Sequence, residues 1–165
     1  MQTTTTMTTM ITTTIRVAVT AALTAFLTTP AQAVTVAECD WRASAQAIVE
    51  PWDVFSRTFA NGDVRITLTD TIEPAAGALH LVILSPPLDE LGGRQCKVVS
   101  ADGSSGFAGV LFEDMTSDYN PTTGLRLTMD VQVFNATTDT FQPRSLAVTI
   151  NQASGAVDAR LLGGK

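Results

Sequence analysis

The stretch "FSRTFANGDVRITLTD", residues 55–70, decides the fold. Asn61-Gly62 at its centre is the strongest short-range hairpin signal, because both residues tolerate the positive φ of a type I′ turn. A two-residue loop there sets Ala60 opposite Asp63, so Phe59 faces Val64, Arg57 faces Ile66 and Phe55 faces Leu68 on one side. The other side collects Thr58 with Arg65 and Ser56 with Thr67. Turn chemistry and facial pattern agree on a half-buried antiparallel hairpin, and Arg57 is the one residue that breaks the apolar face.

Working outward, "LRLTMDVQVF" at 125–134 alternates strictly, which predicts a second half-buried strand with Leu125, Leu127, Met129, Val131 and Val133 inward. Ala78 to Ser85 is apolar on both parities, the pattern of a strand covered on both faces. Pro86-Pro87 cannot donate to a ladder and is expected to end it. Gln95–Ser100 is the next candidate strand, and Ser145–Ile150 with Ala156–Leu161 reads as a hairpin through Asn151 to Gly155. Helix is limited to a short segment from Trp41 to Val49, capped by Asp40 and stopped by Pro51, and a weaker one from Leu111 to Asp118. The expected class is mainly β, a β-rich α+β chain: an antiparallel sheet or sandwich of about six to eight strands with one or two short helices.

Residues 1–33 read as a signal peptide. Arg16 is followed by the apolar run Val17–Leu27 and the small-x-small site Ala31-Gln32-Ala33. The run is shorter than the ~20 residues of a membrane-spanning helix, so no stable membrane insertion is expected after cleavage. Glu38 before Cys39 is not the small residue a lipid-modified cysteine requires. Residues 34–165 then form a single β-rich domain in a periplasmic or secreted protein. In an oxidising compartment the only two cysteines, Cys39 and Cys96, are expected to form a structural disulfide. The formal charge is −6, with no basic cluster, which argues against nucleic acid as a partner.

Candidates for chemistry are few. His80 is the only histidine, flanked by Leu79 and Leu81 in a strand, and no G-x-S-x-G nucleophile elbow accompanies it. One histidine and a bridged cysteine pair do not make a metal site, and no cofactor motif is present. Asp89 and Glu90 are adjacent acids in a Gly-rich turn, where neighbouring side chains of an extended segment point opposite ways. His80, Asp89 and Glu90 are nevertheless the candidate catalytic residues. Trp52 and Tyr119 are the candidates for a binding surface.

The stretches "EPWDVFSRTFANGDVRITLTDT", "HLVILSPPLDELGGRQC" and "SLAVTINQASGAV" resemble a family of small exported proteins of alphaproteobacteria. That resemblance implies a bacterial periplasm and brings no activity, cofactor or catalytic residue with it. The function expected from the residues is a non-catalytic binding or accessory protein for a protein or small-molecule ligand. The alternative is a small secreted hydrolase using carboxylates assembled by the fold.

Overall fold

The hairpin forms in the expected register. Ser56–Phe59 (β2) and Val64–Asp70 (β3) pair antiparallel, with Arg57 opposite Ile66 and Phe59 opposite Val64. Asn61 (φ 56°) and Gly62 (φ 93°) take the left-handed conformations of the turn, and the Asp63 N–H closes it on the Ala60 carbonyl at 3.1 Å. The computed structural model describes residues 1–2 and 33–163; the signal-peptide reading, apart from its cleavage-site end, lies outside the described residues.

The remaining strands are Thr35–Glu38 (β1), Leu79–Leu88 (β4), Arg94–Ser100 (β5), Gly109–Val110 (β6), Thr116–Asn120 (β7), Gly124–Asn135 (β8), Thr140–Ile150 (β9) and Val157–Leu162 (β10). They make two antiparallel five-stranded sheets. One has the order β1-β5-β4-β3-β2; in the other, β10-β9-β8 continues to β6 and β7, which share the far edge of β8. The inward residues of both sheets join in one core that includes Ile66, Leu81 and Val99 from the first and Leu127, Met129 and Leu146 from the second. The chain is therefore a β-sandwich, closed between layers by the alternation read at 55–70 and 125–134. The strands beyond the expected six to eight are short edge pieces, and β1 and β6 carry too few residues for any periodicity to show.

Several local expectations change. Trp41–Val49 is not one helix but two single 3-10 turns, Trp41–Ala43 and Ala45–Ala47. Asp40 caps the first as anticipated, accepting from the Arg42 N–H, but Ser44 (ψ 139°) and Ile48 (ψ 129°) are extended. Ile48 bridges to Thr69, and the Val49 N–H donates to Leu68, so pairing with β3 outweighs helix propagation in this short segment. Leu111–Asp118 forms no helix either: the Leu111 N–H bonds to Asp130, and Thr116–Asn120 is strand β7. Pro86-Pro87 produces a register shift rather than an end, because pairing resumes at Leu88 opposite Arg94. The last hairpin stands as expected, with Gly155 (φ 78°) donating to the Asn151 carbonyl in its turn.

Cys39 and Cys96 form the disulfide, with Cα atoms 5.3 Å apart and a separation of 57 positions in sequence. The Cys39 N–H also donates to the Cys96 carbonyl, which extends the β1–β5 ladder past Glu38. Restricting that loop in the unfolded chain stabilises the fold by ~4 kcal/mol on chain entropy alone. Replacing both cysteines by serine is expected to lower the melting temperature by on the order of 10–20 °C. A shift of only one or two degrees in a calorimetric scan would show that the bridge adds nothing to the ladder beside it.

Candidate functional site

The outward face of β4 carries a buried polar network. His80 stands opposite Thr69 of β3 and beside Ser100 of β5. The Ser100 hydroxyl oxygen is 2.8 Å from His80 Nδ1 and accepts from Arg42 Nη1 at 3.0 Å. Arg42 also donates to the Gly103 carbonyl, and it meets both Asp40 oxygens through Nε and Nη2. With one proton and two lone pairs, the Ser100 hydroxyl can donate to His80 Nδ1 while it accepts from Arg42. In that arrangement the neutral imidazole carries its proton on Nε2, which faces Thr71 Oγ1 3.5 Å away. Thr71 in turn donates to the carbonyl of Ala78 or Glu73.

Burial is the main reason that the His80 pKa falls to about 4, and the Arg42 charge lowers it further, against a smaller upward pull from Asp40 and Asp70. The Arg42 hydrogen bonds hold the Asp40 carboxyl below its usual range.

A serine–histidine hydrogen bond is the first element of nucleophilic catalysis. Here, however, His80 and Ser100 are both 0 % exposed, and Arg42, itself 6 % exposed, is bonded to the same hydroxyl. The group behind the imidazole is Thr71, while the only carboxylate in the network, Asp40, has both oxygens on Arg42. The arrangement satisfies every buried polar atom of a covered sheet face and leaves the hydroxyl no path to a substrate.

Asp89 and Glu90 lie just beyond the other end of β4, on the order of 25–30 Å from His80 by strand length. Asp89 Oδ1 accepts from the N–H groups of Leu91 and Gly93, which makes it the organiser of the turn, and Glu90 is exposed. The structure thus does not bring the three candidate catalytic residues together. Trp52 is 65 % exposed over the outward side of the first sheet, beside Thr67 and Val82. Tyr119, 64 % exposed, belongs to β7 of the second sheet, so the two aromatics form no common patch. Among the described residues, no group of three His, Cys, Asp or Glu side chains is placed to hold a metal ion.

The feature that sequence reasoning missed is a cleft between the sheets. β2 has four residues and β6 two, so the layers part along this edge and leave an open space of about 580 Å³. Val49, Phe55 and Leu79 line it from the first sheet's side, and Val110, Val131 and Arg144 from the second. Leu111, 56 % exposed, stands at its rim. Arg57, the exception on the apolar face, is accommodated nearby: its guanidinium lies 5.6 Å over the Phe112 ring, which itself packs against Phe55. No known family model, curated protein or solved structure matches this chain.

The buried imidazole makes the fold sensitive to acid. With a native pKa of about 4 against an ordinary 6.5, the native state binds fewer protons than the unfolded chain below pH 6.5. Stability is complete above that pH and falls as the pH drops toward 4, by roughly 3 kcal/mol in all. Denaturant unfolding of wild type and His80→Gln at pH 7 and pH 4 is expected to show the wild type losing that much more than the variant. Equal losses would mean that His80 is not buried neutral.

Proposed function

We propose that the protein is an exported, non-catalytic binding protein that takes a small apolar ligand into the cleft between its sheets. The observation that carries this reading is the contrast between the two sites. The Ser100–His80 pair is sealed, whereas the cleft is open to solvent and walled by partly exposed apolar side chains. Its volume falls in the ~300–1,000 Å³ range of small-molecule sites, which are mostly apolar with a few polar groups.

Export is supported by the Arg16, Val17–Leu27 and Ala31–Ala33 pattern and by the disulfide, which persists in oxidising compartments. The resemblance to exported alphaproteobacterial proteins makes the periplasm the proposed compartment. No helix among the described residues is long and apolar enough to cross a membrane. The acidic balance of the chain disfavours nucleic acid as the partner.

Methyl NMR spectra titrated with decanol, a neutral apolar probe, test the site directly. Saturable shifts are expected at Val49, Leu79, Val110 and Val131, and Val110→Trp, which fills the cleft from its edge strand, is expected to abolish them while melting near the wild-type temperature. No saturable shifts, or shifts that survive Val110→Trp, would overturn the cleft as the binding site.

A further inference from the structure

From the position of Arg144 we infer that the cleft selects a single-chain amphiphile with an anionic head, the head meeting Arg144 and the chain lying along Val49, Leu79 and Val131. This deepens the reading of the cleft as a binding site and rests on it. Arg144 stands on β9 directly opposite Val131, in the inward-facing register of the second sheet. The apolar inward positions of this strand, Leu146, Val148 and Ile150, are fully buried and end at Arg144.

Its guanidinium has no carboxylate within ion-pair distance, the ion pairs among the described residues being Arg42–Asp40 and Lys97–Glu38. The contacts it does make are to neutral oxygens, the Pro143 carbonyl at 2.9 Å and Gln142 Oε1 at 2.6 Å. Two of its five N–H donors are thereby occupied and the planar fork retains donors for an anion. Asp130 also borders the cleft, but it sits on the outward register of β8 and forms no ion pair with Arg144.

A half-buried cation in an apolar wall is poorly solvated, and a bound anion would meet that need with charge-assisted hydrogen bonds stronger than those to neutral acceptors. Arg57, also without a carboxylate partner and stacked on Phe112 behind Phe55, adds positive potential on the same side of a chain whose net charge is −6. An apolar ligand without a head group would use the walls and leave Arg144 unmatched. A small inorganic anion would do the reverse. The two features together specify an amphiphile such as a fatty acid.

Calorimetric titration with decanoate and with decanol separates the head from the chain. Decanoate is expected to bind about ten- to a hundredfold tighter than decanol, the size of one charge-assisted hydrogen-bonded contact. Arg144→Gln is expected to remove that preference, decanoate and decanol then binding within about threefold of each other, and Arg144→Lys to keep part of it. Equal affinities in the wild type, or a decanoate preference that survives Arg144→Gln in a normally melting protein, would overturn the anionic-head inference and leave the cleft reading standing. Binding of neither probe would overturn both.

Discussion

The fold depends on covering the central strand β4 on both faces. Its inward side chains, Leu81 and Ile83, meet the second sheet, as any sandwich requires. Its outward side chains have no third sheet above them, and yet His80 and its neighbours Thr69 and Ser100 are buried. The cover is the N-terminal segment that follows β1, and Arg42 holds it there. One guanidinium joins Asp40 on its own turn to Ser100 of β5 and to Gly103 in the loop after it. Without that cover the imidazole and two hydroxyls would lie against solvent on the outer face of the sheet, with the neighbouring disulfide alone to fasten the segment that follows β1.

This arrangement sets two regions of the molecule apart. On the outward side of the first sheet, polar groups are present and fully satisfied, so the one serine–histidine contact serves packing. Between the sheets, the reverse holds. Apolar side chains that normally close a core are left partly open by short edge strands, and the arginine among them has only neutral partners. The proposed binding site thus lies where polar satisfaction is incomplete, and the scaffold where it is complete.

Sequence patterns revealed the elements whose side chains alternate over a full strand. The 55–70 hairpin, the inward set from Leu125 to Val133 and the covered strand at 78–85 each have enough residues for a period of two to register. Trp41–Val49 misled because Trp41, Ala45 and Ile48 repeat at helical spacing, although the structure exposes Trp41 and Ala45 and buries Arg42. No local pattern announces that an arginine will turn inward to a serine 58 residues away. The cleft was invisible for a related reason: it is produced by what the edge strands lack. Arg57 was the one legible hint, since an arginine on an apolar register marks a place where the core is not closed. Arg144 carries the same signal in a strand whose start at Thr140 was not anticipated.

The central claim is that Arg42 fastens the outer cover of the first sheet, and the unfolding free energy of Arg42→Met tests it most directly. Methionine keeps much of the packing stem and removes every hydrogen bond of the guanidinium. A loss of about 2–4 kcal/mol is expected, as for other buried charged groups stripped of their bonds, together with faster amide exchange at His80 and Ser100. A loss within about 0.5 kcal/mol, the range of ordinary surface substitutions, would contradict the account.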